Sequence, residues 1–570
     1  MRYLALAVDY DGTAASHDKL SDIAAAAIER LRISGRRVVL VTGRRIADLL
    51  RVCPRMSLFD LVVAENGAVI YDPHRREEIA LAAPLPAQFA ERLRARGTAP
   101  VEVGHVIVAT HDPHGTVMLE VVRELGLEIQ VIFNRGAVMA LPPGINKASG
   151  LDIALRKLGL SRHEVVGIGD AENDHSLLDY CECGVAVANA VESLKQVAAF
   201  VTRGANGVGV AELADELIAN DLHRMEGKLE RHLVLVGKRA DNAEPVRIPP
   251  YGRNILIAGP SGSGKSTVTA GLVERLIDKS YQVLVVDPEG DYSTLQAMVC
   301  LGNQQRAPTV NEILSILEDP TINLSINLLG LPLEDRPYFL AQLIPGLQAL
   351  RARTGRPHWI VLDEAHHMLP QTWGHVSSTL PYKLAETILV TVHPDHVAPA
   401  VLAPIDVVFA VGKSPDDTLK QFAGAAGVQL SWPPELAYAH GNLVAWFVRD
   451  GQTPFSVHPR RGRAERIRHH RKYAEGNLRY HSFYFRGPDG RHNLKAQNLV
   501  VFSQIAEGIG ELTWMYHLRR NDYSRWFRDA IKDSYLADQA ERIERRLDLS
   551  PAQTRLLIRE LIRARYTLPE

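Results

Sequence analysis

In AVDYDGT two carboxylates, Asp9 and Asp11, stand two residues apart at the end of an apolar run, and Gly12 lets the chain turn sharply behind them. A pair so spaced suits phosphate-ester hydrolysis, one carboxylate attacking phosphorus and the other moving protons. Alone it is weak evidence, since acidic turns are common. Three further stretches supply what such a reaction needs. VTGR, residues 41–44, ends an apolar run and offers the Thr42 hydroxyl and the following backbone N–H groups, at Gly43 and Arg44, to a phosphoryl oxygen. Lys147, in GINKASGL, stands at a helix start and can neutralise phosphate charge. GIGDAENDHSLL sets Asp170 and Asp174 beyond another apolar run, and carboxylate oxygens are the hard donors that Mg2+ prefers.

A second chemistry stands near the middle of the chain. GPSGSGKST, from Gly259 to Thr267, matches the phosphate-binding pattern G-x-x-x-x-G-K-[ST] between an apolar strand and a helix. Gly259, Gly262 and Gly264 let backbone N–H groups crowd the phosphates of ATP at a helix N-terminus, with Pro260, Ser261, Ser263 and Thr267 completing the loop. Lys265 reaches the β- and γ-phosphates and Ser266 ligates Mg2+. HWIVLDEAHH follows, its Asp363 98 residues beyond Lys265. Asp363 is expected to hold the metal through water, and Glu364 to activate the attacking water. Such an Asp–Glu pair favours a hydrolase doing mechanical or switching work over a small-molecule kinase.

Residues set out in this way need strands to carry them. From Met1 to about Leu222, runs such as RRVVLVTGR, FDLVVAENGAVIY and HEVVGIGD alternate with helical stretches such as DIAAAAIERLRISG. This predicts a parallel sheet covered on both faces by helices, with the chemistry at the carboxyl ends of its strands. An αβ insert over about 72–143 reads as a small cap. DLHRMEGKLER (221–231) reads as a linker, and a second α/β domain spans 229–458 with strands YQVLVVD, HWIVLDE, ETILVTVH and DVVFAVG. The remainder, 459–570, opens on RRGRAERIRHHRK and becomes helical and aromatic, with Phe502, Ile505, Ile509, Leu512 and Met515 near one face, then Trp526, Phe527 and Ile531.

With these motifs in order, residues 1–222 resemble the haloacid dehalogenase phosphatases, in the branch whose αβ cap lies between the second and third motifs. ENGAVIY and GVAVANAVESLK are similar to that branch as well. The resemblance implies a Rossmann-like core, Asp9 as nucleophile and Asp11 as general acid/base, and Thr42 and Lys147 as phosphate stabilisers. It implies Mg2+ held by Asp9, Asp11 and Asp170 with Asp174 in support, and Asn66 and Asn173 as substrate or supporting groups. Members of this branch commonly act on sugar phosphates. The P-loop, the turn in YQVLVVDPEGDY and WIVLDEAHHML resemble the HerA-FtsK ring-forming translocase ATPases over about 229–458. This implies ATP bound between subunits, with a neighbour's arginine completing each site. His393 stands where that family's sensor strand would carry an amide or hydroxyl.

The 570-residue chain is too long for one core, and 65 basic against 66 acidic residues give no overall pull toward nucleic acid or membrane. Its four cysteines make no disulfide framework and no apolar run suffices to span a bilayer, so the expected location is the cytoplasm. RRGRAERIRHHRK is a local exception, seven basic residues with one acidic, which suits either nucleic-acid phosphates or a solvated linker. Three readings follow. The first is a bifunctional Mg2+-dependent phosphomonoesterase fused to an ATPase. The second is a DNA-acting translocase whose phosphatase trims nucleic-acid ends or nucleotides, and the third a nucleotide-sensing regulator with little turnover.

Overall fold

The computed structural model describes residues 1–134, 136–223, 230–292, 295, 297–373, 385–433, 436, 438–439, 441–460, 462–463, 482–488, 490, 492–531 and 533–566. It is a mixed α/β protein. Its first sheet runs, in spatial order, Phe200–Val201, Cys183–Ala186, Val165–Gly169, Ala5–Asp9, Arg37–Val41, Leu61–Ala64, Val69–Asp72 and Glu77–Ala80. The first six are parallel, and each of the last two runs antiparallel to the strand before it. Every residue of Ala5–Asp9 is buried, as a central strand covered on both faces requires, which is why it reads as one unbroken apolar run. The helix Asp22–Ile33 follows, capped by the Ser21 hydroxyl, with Asp22 in its first turn and Arg30 and Arg32 in its last, each complementing the helix dipole.

The insert builds a separate antiparallel sheet in the order Gln130–Asn134, Ala137–Leu141, Val108–His111, Glu102–Val103. Helices Ala87–Ala95 and Gly115–Glu124 pack on it around Phe89, Leu93, Met118 and Val121. Glu77–Ala80, which the sequence places in the insert, instead pairs with Val69–Asp72 and extends the main sheet as an exposed edge.

The second large sheet has eleven strands. Seven are parallel, in the order Val407–Val411, Ile255–Ala258, Thr387–Thr391, Trp359–Leu362, Val283–Asp287, Leu324–Asn327, Val299–Leu301. Beyond Val407–Val411 the antiparallel strands Leu443–Phe447, Phe455–Pro459, Val234–Arg239 and Pro245–Ile248 complete it. The P-loop strand and the strand leading to Asp363 are thus separated by one other, Thr387–Thr391.

The chain divides into two compact units, one holding residues up to Lys265 and most of Arg275–Pro459, the other Ser266–Glu274 and the chain from Arg460. Within the first, the two large sheets meet at the ends where their strands begin. His358, just before Trp359–Leu362, sets Nε2 2.6 Å from Oε1 of Glu164, just before Val165–Gly169. The Arg356 guanidinium donates to Gly159 O (2.8 Å), and the His163 ring stacks on Tyr281 with centroids 3.8 Å apart. Both candidate catalytic sets sit at the opposite ends of these same strands.

In the second unit a hairpin of Phe483–Phe485 and Leu494–Ala496 joins helices Leu499–Gly508, Glu511–Arg519, Asp522–Asp529, Ser534–Glu544 and Pro551–Tyr566. The apolar face expected through 502–515 breaks at Ile509–Gly510, so Leu512 is 82% exposed and Trp514 enters the core in its place. Apart from Arg460, Gly462 and Arg463, the basic stretch 460–472 lies outside the described residues, as does 224–229 of the expected linker. Among the described residues, no helix is long and apolar enough to cross a membrane.

Candidate active sites

Three carboxylates converge at the carboxyl end of the first sheet. Asp9 ends the strand Ala5–Asp9, and Asp170 and Asp174 follow Val165–Gly169, its parallel neighbour. All three are buried, each offering an oxygen within 4.8 Å of the others. Burial and the neighbouring Asp174 push the Asp9 carboxyl well above its ordinary range, against the pull of Lys147. Lys147 opens the helix Lys147–Lys157, where Asn146 caps the first turn, and its buried ammonium lies 2.6 Å from Asp9 and also donates to Asp174. Burial opposes the Lys147 charge, yet the Asp174 and Asp9 carboxylates outweigh it and raise its pKa. Asp174 is fixed in turn by the backbone N–H groups of Asp170 and Ala171, both at 3.0 Å, and Thr13 donates to Asp170 at 2.9 Å.

Thr42 is buried, and its Oγ1 accepts from Arg44 N at 3.1 Å, so the loop after Arg37–Val41 closes on itself. Asp11 stands apart from the buried trio. Its carboxylate is gripped by two nitrogens of Arg44, each at 2.7 Å, and Arg44 also reaches Asp18. Residues expected to meet substrate and the proton-transfer group therefore form one ion pair. Asn173 Nδ2 donates to Asn66 Oδ1 at 3.1 Å, and a side chain at Gly43 would meet Met139 Sδ at 3.6 Å and Asn173 Nδ2 at 3.8 Å. Met139 belongs to the cap strand Ala137–Leu141, so the cap supplies an apolar wall beside this loop.

Glu65 has no counterpart in the sequence reading. It is wholly buried, and its carboxylate accepts from three backbone N–H groups of the insert, His105 (2.8 Å), Val106 (2.9 Å) and Ile107 (3.1 Å). Glu65 and Asn66 both adopt positive φ, at 50° and 56°. Gly67 follows at φ 107°, where a Cβ would fall 1.9 Å from Asn146 O. The short tract ENG thus ties the insert, the Asn66–Asn173 contact and the cap of the Lys147 helix together. Among the insert histidines, His105 pairs with Glu78 at 2.8 Å and His111 ends the strand Val108–His111. His114 caps the helix Gly115–Glu124.

At the second sheet, Gly264 (φ 103°) opens the helix Lys265–Asp278, whose first three residues are Lys265, Ser266 and Thr267. Gly259, at φ 154°, passes so close to Val411 that a Cβ would stand 2.0 Å from its carbonyl oxygen. Pro260, Ser261, Gly262 and Ser263 complete the turn. Lys265 Nζ folds back onto the carbonyls of Gly259 (3.0 Å) and Pro260 (3.2 Å), with the charges of Glu364 and Asp363 acting on it. Burial pushes the Asp363 carboxyl up to about 7 and raises that of Glu364 as well, both with acidic neighbours. Glu364 takes a left-handed conformation (φ 45°), in which its N–H donates to Asp363 Oδ1 at 2.9 Å. The Thr391 hydroxyl, at the end of the intervening strand, lies 3.1 Å from His366 Nδ1 and accepts from His393 N at 3.1 Å. That strand therefore does present a hydroxyl, two residues before the histidine the sequence singled out.

Comparison with known proteins gives two families. The chain matches the haloacid dehalogenase-like hydrolases over residues 6–95 and 106–213, and the central domain of helicase HerA over 236–378. A phosphoglycolate phosphatase of Methanothermobacter thermautotrophicus is 31% identical over 219 residues, covering 36% of this chain and 96% of that protein. Phosphoglycolate phosphatase 2 of Saccharolobus solfataricus is 26% identical over 234 residues, 38% and 93% of the two chains. Among solved structures, a haloacid dehalogenase-like hydrolase from Bacteroides thetaiotaomicron is similar at 23% identity and a TM-score of 0.33, over 38% of this chain and 99% of that one.

Proposed function

This chain belongs, through its first domain, to the haloacid dehalogenase-like hydrolases, and from that premise we propose that residues 1–222 are an Mg2+-dependent phosphomonoesterase joined to an ATP-hydrolysing P-loop domain at 229–458. The observation that carries the proposal is the buried meeting of Asp9, Asp170 and Asp174 around Lys147. Three clustered carboxylate oxygens fit Mg2+, and Asp9, Asp170 and Asp174 would hold it. When bound, the ion supplies positive charge beside the phosphoryl oxygens.

Asp9 attacks phosphorus, the ester P–O bond breaks, and the leaving oxygen takes a proton from Asp11. Asp11 then removes a proton from water as that water attacks the aspartyl phosphate, which releases inorganic phosphate and restores Asp9. Thr42 and Lys147 steady the phosphoryl group, the backbone of Gly43 lies along it, and Arg44 turns from Asp11 to the anionic substrate, which leaves Asp11 free to carry its proton. Asn66 and Asn173 orient the remainder of the substrate beneath the cap.

The phosphoglycolate phosphatases among its relatives make a small phosphorylated acid the first substrate to try, and sugar phosphates the second. Phosphate release from such a panel tests this reading, with Asp9→Asn as blank. In the P-loop domain Lys265 holds the triphosphate of ATP, Ser266 contributes to Mg2+, Asp363 is the acidic partner and Glu364 activates water. The HerA central-domain match supports a second reading in which this ATPase assembles as a ring and serves nucleic acid. ATP hydrolysis measured with and without DNA distinguishes the two.

A further inference from the structure

The tract HLRRNDYSRWF, from His517 to Phe527, plays no part in either site above, yet it shapes a cleft of ≈ 400 Å³ in the C-terminal unit. The cleft is bordered by Tyr484, Arg486, Tyr516, Arg520, Arg525 and Trp526. Its frame is rigid. His517 is buried, its Nε2 accepts from Arg486 N at 3.0 Å, and its Nδ1 lies 2.8 Å from Asp522 Oδ2. One histidine thereby fixes the strand bearing Tyr484, and Arg486 just beyond it, against the helix bearing Arg525 and Trp526. Trp526 is backed by Phe502, their rings stacked at 5.1 Å, so the floor is held from below.

Cations and rings alternate around this frame. The Arg486 guanidinium lies 5.6 Å from the Tyr484 ring centre, and that of Arg520 5.1 Å from the ring of Tyr516. Tyr484 and Tyr516 are partly exposed, and Arg486, Arg520 and Arg525 are exposed. Two carboxylates share the cleft, but Asp522 is engaged by His517, with Arg520 3.7 Å and Arg525 3.9 Å away, and Asp529 is exposed. Arg486 has no carboxylate partner among the described residues. A site for a bare anion needs no aromatic walls, and a groove for an apolar helix would not be rimmed by three guanidinium groups. Rings interleaved with arginines suit a ligand that alternates flat π-faces with phosphates.

We propose that this cleft binds single-stranded nucleic acid, with bases stacking on Tyr484 and Tyr516 and phosphates meeting Arg486, Arg520 and Arg525. The proposal stands on the C-terminal unit alone and is independent of the phosphatase and ATPase readings. A duplex is disfavoured because its base faces are hidden in the helical stack.

The test is fluorescence anisotropy of a labelled oligothymidylate of about a dozen nucleotides against the full chain, at about 50 and about 200 mM salt. The protein should bind it, and more weakly at the higher salt. Arg520→Ala and Tyr516→Ala should each weaken binding roughly tenfold, while Tyr516→Phe, which keeps the ring, should bind like the parent. A duplex of equal length should bind roughly tenfold more weakly. Since Arg520 is exposed and Tyr516 partly exposed, a circular dichroism spectrum and melting curve of each variant that match the parent's show that the C-terminal unit is intact. No binding, equal binding of the duplex, parental affinity in both alanine variants, or equal displacement by free mononucleotide would each overturn the proposal.

Discussion

The Lys147 ammonium bridges two buried carboxylates, standing 2.6 Å from Asp9 Oδ1 and donating also to Asp174. A single cation thereby holds the proposed nucleophile in register with a carboxylate from the turn after the neighbouring strand. Removing it leaves clustered anions without their cation. Lys147→Ala should lower the turnover of any phosphomonoester by roughly a hundredfold or more and also lower the melting temperature. Rates and melting curves of purified Lys147→Ala check both, and a wild-type rate would remove Lys147 from the mechanism.

Glu65 presents acceptors to three N–H groups of the insert, and Glu65→Gln would turn an amide donor toward some of them. A cost of about 2 kcal/mol is expected, the order seen when a buried charge-assisted hydrogen-bond set is broken. The denaturant midpoint should fall and KM should rise more than kcat falls, because the insert loses its clasp while Asp9 is untouched.

Where the two sheets meet, the buried Glu182 carboxylate lies 2.7 Å from His163 Nδ1 and the Glu182 backbone carbonyl 2.9 Å from His232 Nε2, and stability should depend on pH in two steps. Burial, with Arg231 adding to it, lowers the His232 imidazole from 6.5 to about 4. The unfolded chain therefore takes up a proton near pH 6.5 that the folded chain refuses until about pH 4, so this contribution is complete above 6.5 and lost on the way down to 4. Burial opposes the charge of Glu182, but its hydrogen bond to His163, with His232 and Arg2 assisting, lowers it to about 2. Its contribution is present above pH 4.5 and lost toward pH 2. Denaturant midpoints measured across this range should fall in both windows, and His232→Phe should flatten the upper one.

Glu364→Gln should still bind ATP and fail to hydrolyse it, while Lys265→Ala should lose binding. Thr391→Val should lower ATP turnover roughly tenfold with little change in binding, since the hydroxyl at this strand end orients rather than grips. Nucleotide-binding and phosphate-release assays on the three variants separate these roles.

Much of this architecture can be read in the chain because buried parallel strands leave unbroken apolar runs. YQVLVVD, HWIVLDE and ETILVTVH all become strands of the second sheet. Asp9, Asp170 and Asp363 are legible for a related reason, each standing where such a run ends. What stays hidden depends on contacts between distant segments. Glu65 looks like any turn carboxylate until the insert folds over it, and Glu164 and His358 look solvated until two sheets meet. Asp11 and Arg44 are each recognisable, but their mutual grip is not. The EEIA strand, being charged and exposed, carries no apolar signal of which sheet it joins.

Whether Asp9 attacks phosphorus is decided by steady-state phosphate release from phosphoglycolate and from an aryl phosphate with Mg2+, comparing the intact chain with Asp9→Asn. The parent should release phosphate and Asp9→Asn none, with ATP hydrolysis at the P-loop domain the same in both. Undiminished release by Asp9→Asn would exclude Asp9 as the nucleophile.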